Sequence, residues 1–107
     1  MTKIIYSLDY QCLPIWVCEN NDTLICNGLT SELQNELGTE ILAKINELSI
    51  RYDSLFRNDE KCFEYKGFQN NKQRSDFIKE SIELMEKIKS KVDNDVIIEI
   101  RTDLSKL

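Results

Sequence analysis

Residues 13–28, LPIWVCENNDTLICNG, contain the two strands of a predicted β-hairpin and the turn that joins them. The first strand is LPIWVCE, in which Pro14 stands near the start, where a missing backbone donor is tolerated on an edge or at a strand entrance. The polar run ENND suits a tight turn, and TLIC is a short returning strand ended by the dipeptide NG. The hairpin places Cys18 and Cys26 on neighbouring strands and makes a β-sheet the starting point of the fold.

Three further segments alternate in side-chain character with the period of two that is typical of strands. They are KIIYSL (3–8) before the hairpin, CFEYKGF (62–68) in the second half of the chain, and VIIEIR (96–101) near its end. We therefore expect each of them to form a strand.

Two longer segments repeat apolar residues at spacings of three and four, which predicts amphipathic helices. The first extends over about residues 31–57, and Gly38 can divide it into two helices. The second lies within residues 70–92 and has Asn70 or Asn71 as its N-terminal cap.

The order of these elements, β-β-β-α-β-α-β, predicts an α+β fold: a mixed, mostly antiparallel sheet of four to five strands with two or three helices on one face. The chain has 107 residues, a length that fits one domain and leaves no room for a second. We therefore expect residues 1–107 to form a single domain with one core.

The composition indicates a globular, cytoplasmic protein. Apolar residues make up 41% of the chain and charged residues 31%, as in ordinary globular proteins. No stretch approaches the roughly 20 apolar residues of a membrane span, and the start, MTKIIYSLDYQ, lacks the layout of a signal peptide. We therefore expect no membrane partner, and cysteines that stay reduced and act as small apolar residues.

The residue types argue against several kinds of chemistry. The chain has no histidine, which removes the usual base of a nucleophilic triad. The spacing of Cys12, Cys18 and Cys26 matches no standard zinc motif, and no glycine-rich phosphate loop is present. We expect no enzyme activity, no cofactor and no metal. A small enzyme or metal protein built on the cysteines is a further hypothesis, which metal analysis tests.

Acidic residues are concentrated in one part of the chain. The net charge is -5 overall and -4 within residues 31–60, where seven acids face three bases. Glu32, Glu36 and Glu40 recur every four residues and form a predicted acidic ridge on the helix. Acids in flanking loops can extend this surface, namely Glu19, Asp22, Asp59 and Glu60. An acidic chain is not expected to bind nucleic acid directly.

Two of these features have a simpler structural explanation. The acidic ridge can be a solvated helix face, because acids suit a helix start and Glu40 can pair with Lys44. Trp16 can be a core residue of a half-buried strand. If it faces outward on an edge, it becomes a candidate anchor for a protein partner.

Four segments resemble small bacterial immunity proteins that are paired with the toxins of contact-dependent growth inhibition, a polymorphic toxin system. They are LDYQCLPIW (8–16), NGLTSEL (27–33), RYDSLF (51–56) and FEYKGF (63–68). The resemblance implies a non-catalytic cytoplasmic protein that binds one cognate toxin and occludes its active site. Many such toxins are nucleases, and an acidic inhibitor surface would suit their positively charged sites.

A second hypothesis belongs to another class of protein. The chain could be a non-catalytic regulatory or adaptor domain of a mobile element, and could bind a host protein by strand addition at the edge of the hairpin.

Overall fold

The computed structural model describes residues 2–19, 21, 23–58 and 63–107. Within these residues six strands, three α-helices and one short 3-10 helix form. In chain order they are β1 (Thr2–Tyr6), β2 (Ile15–Glu19), β3 (Leu24–Asn27), α1 (Ser31–Leu37), α2 (Thr39–Asp53), β4 (Phe56–Asn58), β5 (Phe63–Tyr65), α3 (Asn71–Lys91), β6 (Ile97–Ile100) and the 3-10 turn Leu104–Lys106.

The main sheet has four strands in the order β3-β2-β1-β6. β1 and β2 are antiparallel, as are β2 and β3, whereas β1 and β6 are parallel, with Lys3 opposite Ile97. The register of the β2–β3 pair shifts between Val17 and Cys18. The predicted α+β fold with a mixed, mostly antiparallel sheet is therefore confirmed.

The helices cover one face of this sheet. Side chains on alternate positions of β1 and β2 enter a buried cluster with the apolar faces of all three helices. The members from the sheet are Ile4, Tyr6, Ile15 and Val17, and those from the helices are Leu33, Leu37, Ile41, Ile45, Leu48, Phe77, Leu84, Met85 and Ile88. The opposite face of β1 and β2 carries Lys3, Ile5, Trp16 and Cys18.

The first predicted helix is divided at Gly38, as expected from the sequence. Gly38 has φ 89° and ψ 172°, and its N–H donates to the carbonyl of Gln34, which closes α1. The N-terminal cap of α1 is Thr30, whose hydroxyl accepts a hydrogen bond from Leu33 N–H. The cap of α3 is Asn70, one of the two predicted candidates.

The predicted end of this helical region, at about residue 57, is wrong. α2 ends at Asp53, and residues 56–58 form β4, which pairs with β5 in a separate two-stranded sheet. The carbonyl of Leu55 accepts hydrogen bonds from the N–H groups of Lys66 and Gly67, which holds the chain in this extended path. Aromatic packing adds to this, because the Phe56 ring lies 4.8 to 5.5 Å from four other rings.

The sequence predicts that the cysteines are reduced and act as small apolar residues, and three of the four lie within the described residues. Cys18 is buried, whereas Cys12 and Cys26 are half-buried, and all three are free thiols. Cys18 and Cys26 do lie on neighbouring strands, but Cys26 is opposite Val17 and contacts the core, and Cys18 is on the other face of the sheet. Cys62 lies outside the described residues. No helix in the described part of the chain is long and apolar enough to cross a membrane.

Candidate partner-binding surface

The structure divides the predicted acidic ridge into two parts. Glu32 and Glu36 lie on α1, whereas Glu40 lies in the first turn of α2, beyond the break at Gly38. A continuous ridge requires one straight helix through all three positions, and the backbone at Gly38 does not continue α1. The ridge is therefore wrong as predicted, although Glu32 and Glu36 remain neighbours one turn apart.

Glu32 and Glu36 meet two further carboxylates around a recess of about 590 Å³. Asp93 and Asp95, in the turn between α3 and β6, supply the other two. We call this feature the acidic recess, and it is lined by Thr2, Val17, Ile25, Thr30, Ser31, Glu32, Leu33, Glu36, Asp93, Asp95 and Val96. Four of these lining residues are acidic and none is basic, so the recess has a negative potential.

The parallel pairing of β1 with β6 explains why these residues meet. The pairing starts with Lys3 opposite Ile97, so the turn before β6 lies beside the start of β1. Within that turn the N–H of Val96 donates to the carbonyl of Asp93. On the other side, the Thr30 cap fixes the first turn of α1, where Glu32 is favoured by the helix dipole. All four acidic residues are exposed.

Sequence reasoning found Glu32 and Glu36 but missed Asp93 and Asp95. The segment DND (93–95) has the local composition of a turn, and residues 61–107 have a net charge of +1, which obscures the negative charge of this segment. No local pattern reveals this role, because only the strand order of the folded sheet, with β6 beside β1, brings this turn to α1.

The remaining predicted acidic residues take different places. Glu19 is exposed at the end of β2, opposite Thr2, and Thr2 lines the acidic recess. Glu40 lines another groove, of about 420 Å³, between α2 and α3. Its charges are mixed, because Lys44, Lys87 and Lys91 line it together with Glu40, Glu80 and Glu83. Asp22, Asp59 and Glu60 lie outside the described residues.

Lys44 does not pair with Glu40, contrary to prediction. Its ammonium lies 2.5 Å from a carboxylate oxygen of Glu80 and 3.4 Å from one of Glu47. The hydrogen bond from Lys44 is the main reason why the pKa of Glu80 is lowered, and Arg51, 2.6 Å away, adds to the effect. The same hydrogen bond raises the pKa of Lys44. These pairs join α2 to α3 and are part of the scaffold.

Trp16 is half-buried on the face of the sheet opposite the helices. Trp16 stands opposite Ile5, which is only 2% exposed. The indole Nε1–H of Trp16 donates to the carbonyl of Ser7 at 2.9 Å. The structure therefore separates Trp16 from the acidic recess, which lies on the helix side. Both the packing role and the contact role predicted for its ring are compatible with half burial.

The described residues offer no evident metal centre. No group of three or more cysteine, aspartate or glutamate side chains among them is placed to hold a metal ion. The acidic recess combines apolar lining residues, such as Ile25 and Val96, with exposed carboxylates, a combination suited to side chains from a basic protein partner.

Comparison with known protein families gives a match over most of the chain. A family model described as Serratia CdiI immunity protein-like matches residues 2–102. The matched range includes all four segments on which the resemblance to immunity proteins was based, so the resemblance is confirmed. A search of curated proteins finds no match.

Proposed function

The chain belongs to the Serratia CdiI immunity protein-like family, and from this premise we propose that it binds one cognate toxin of a contact-dependent growth inhibition system and neutralises it. In this proposal the protein acts in the cytoplasm without catalysis. It occludes the active site of the toxin, and the bound state itself is the protective state.

The acidic recess is the observation that carries the proposal furthest. Four exposed carboxylates from α1 and from the turn before β6 line one recess, and none of the described residues that line it is basic. Such a surface attracts a basic partner at long range and penalises an acidic one. Glu19 extends the same side of the sheet, and the Asp22, Asp59 and Glu60 side chains belong to the proposed surface on the basis of sequence alone.

A basic partner surface points to a nuclease as the toxin. Enzymes that cleave nucleic acids must hold phosphate groups, and they use positively charged side chains to do so. A protein that presents carboxylates to such a site occupies the positions of the phosphates and excludes the substrate. This reasoning requires no contact between the immunity protein and nucleic acid.

Co-expression with the protein encoded by the adjacent gene tests the proposal directly. We expect the adjacent product alone to stop growth, and the present chain to restore growth and to co-purify with that product. Degradation of cellular DNA or RNA in the unprotected cells would identify the toxin as a nuclease. Growth arrest that the chain does not relieve would contradict the proposal, and recovery of a host protein with no toxin would favour the adaptor hypothesis.

A further inference from the structure

The edge of the main sheet at β3 is open. In the described part of the chain β3 pairs with β2 alone, so the opposite side of Leu24–Asn27 has no strand beside it. Leu24 is 55% exposed and Ile25 is 49% exposed. An edge strand with unpaired backbone groups and exposed apolar side chains is a template for an additional strand.

β3 lacks the charged and proline residues that often protect an edge strand, although it is short and its register with β2 shifts between Val17 and Cys18. Charged residues or proline in an edge strand discourage pairing with another chain. The strand at the other edge, β6, contains Glu99, which lies 2.7 Å from the Arg101 guanidinium and 3.9 Å from the Lys3 ammonium. β3 reads LICN and contains neither a charge nor a proline. Of the two edges, β3 is therefore the one suited to accept a strand.

The β3 edge is continuous with the acidic recess. Ile25 is one of the residues that line the recess, together with Glu32 and Glu36 of α1. Leu24 stands opposite Cys18 and so belongs to the other face of the sheet. Ile25 lies between Leu24 and Cys26, where the register of the β2–β3 pair shifts. A strand added about 4.8 Å from β3 would place alternate side chains on the two faces of the sheet, and those on the helix side would lie beside the recess.

We propose that the toxin contributes an extended segment that adds to β3 as a fifth, edge strand, with lysine or arginine side chains at alternate positions directed into the acidic recess. This inference rests on the proposed function, because it takes the cognate toxin as the occupant. Charge complementarity with Glu32, Glu36, Asp93 and Asp95 determines the basic character of the segment. Backbone pairing supplies affinity, and the alternating side chains supply specificity.

Amide hydrogen exchange on the unmodified protein tests the strand addition. The amides of residues 24–27 are measured by NMR in the free protein and in its complex with the purified product of the adjacent gene. We expect at least one amide of β3 that exchanges freely alone to exchange about tenfold more slowly in the complex, because it donates to the added strand. Docking by side chains alone leaves these donors without a new acceptor.

Substitutions at the two sheet edges test the position and the charge of the added segment. We expect Ile25→Lys to weaken binding of the adjacent gene product about tenfold, because it places a cation beside a basic strand and protects the edge. Ile25→Glu removes the same apolar side chain but introduces a charge that complements a basic strand. We therefore expect Ile25→Glu to lose less binding affinity than Ile25→Lys. The matched control is Ile97→Lys on β6, where an exposed isoleucine of the opposite edge receives the same charge.

The outcomes separate this inference from the proposed function. Strand addition is overturned if the β3 amides exchange at the same rate in the complex and Ile25→Lys binds the adjacent gene product as tightly as Ile97→Lys does. That result leaves the proposed neutralisation intact. Equal losses for Ile25→Lys and Ile25→Glu overturn the basic character of the segment. If the adjacent product neither binds nor is neutralised, both proposals fail. Thermal unfolding of each variant shows whether it is folded, and the exchange experiment needs no variant.

Discussion

At the scale of single residues, the hydrogen bond between Tyr6 and Ser81 shows how the fold accommodates two buried hydroxyl groups. Tyr6 is fully buried in β1, an inner strand of the sheet, and its hydroxyl lies 2.5 Å from that of Ser81 on α3, which is also fully buried. Burial raises the pKa of Tyr6 to about 12, although the hydrogen bond between Tyr6 and Ser81 and the charge of Arg51 act in the opposite direction. The folded protein therefore keeps this phenol protonated.

This shift predicts a loss of stability in alkaline solution. The unfolded chain loses the Tyr6 proton near pH 10.0, whereas the folded chain loses it only near pH 12. The contribution of the protonated Tyr6 to the unfolding free energy is therefore complete below pH 10.0 and declines as the pH rises towards 12. The decline is roughly 2 to 3 kcal/mol of unfolding free energy. Urea unfolding across this pH range measures it.

The control for this measurement is the double variant Tyr6→Phe/Ser81→Ala. It removes both hydroxyls and so leaves neither without a partner. Its unfolding free energy should decline less than that of the native protein over the same pH range. An equal decline in both proteins would mean that other groups cause the alkaline loss.

Gly38 is the residue on which the division between α1 and α2 depends. Its φ of 89° and ψ of 172° lie in a region that only glycine adopts readily. An added Cβ would meet nothing within 4 Å, so the cost of a substitution is conformational. We expect Gly38→Ala to lower the unfolding free energy by about 2 kcal/mol.

Denaturant unfolding measures this cost, with Asn35→Ala on the exposed side of α1 as the control. The control should change the unfolding free energy by less than about 0.5 kcal/mol. A stable Gly38→Ala protein would show that this backbone can take another conformation.

At the scale of elements, α2 and α3 are joined by an ion-pair network around Glu80. Its carboxylate accepts from Lys44 and Arg51, and the Arg51 guanidinium lies 5.5 Å from the centre of the Phe77 ring. All three charged side chains are about 30% exposed, so solvent screens them only in part. The network therefore adds to the apolar contacts that hold α2 and α3 together.

The network predicts a loss of stability in acid. Because the pKa of Glu80 is held below its usual 4.5, its stabilisation is present above that pH and is lost as the pH falls through the folded value. We expect Glu80→Gln to cost about 1 kcal/mol at neutral pH. The difference from the native protein should shrink as the pH falls below 4.5 and through the lowered pKa of Glu80.

Urea unfolding at several pH values checks this expectation. Glu83→Gln, on the same helix, is the control, because its carboxylate is half exposed and its ion pair with Lys79 is 3.9 Å long. A constant difference between Glu80→Gln and the native protein at all pH values would contradict an ionic origin.

Periodicity explains which elements could be predicted. The hairpin, the amphipathic helices and β6 each have enough residues to display a period of two or of 3.6. β4 has only the three residues FRN, which show no period, and its extended backbone depends on pairing with β5 and on the surrounding rings. Such tertiary contacts are not visible in the local sequence.

The candidate site likewise combines residues that are close in sequence with residues that only the tertiary structure brings together. Glu32 and Glu36 are close in sequence, so helical spacing alone brought them together. Asp93 and Asp95 join them only because β6 lies parallel to β1, a strand order that local patterns do not determine. A single glycine conformation removed Glu40 from the group. Long-range topology therefore decides which acidic residues share a surface.

At the scale of the whole molecule, the proposed function predicts that acidic residues differ in importance according to position. Reversal of Glu32, Glu36 and Asp95 to lysine should slow association with the adjacent gene product about tenfold at low salt. The effect should decrease at high salt, because ions screen exposed charges. Stopped-flow or surface-binding kinetics at two salt concentrations measures both effects.

The control is the reversal of Asp76, Glu83 and Glu86 on α3, which changes the net charge by the same amount. These three residues are exposed and line other grooves. Equal slowing by both triple variants would mean that only the net charge matters and that the acidic recess has no special role.

The parallel ladder between β1 and β6 also affects how the protein is made. β1 is translated before β6, and the strand that completes its second side contains residues 97–100. A nascent chain that stops before them has an open backbone row beside Ile4, Ile5 and Tyr6, and such rows promote aggregation. Closing a contact between distant positions also slows folding. We therefore expect a chain that is truncated before β6 to aggregate more readily than the full chain.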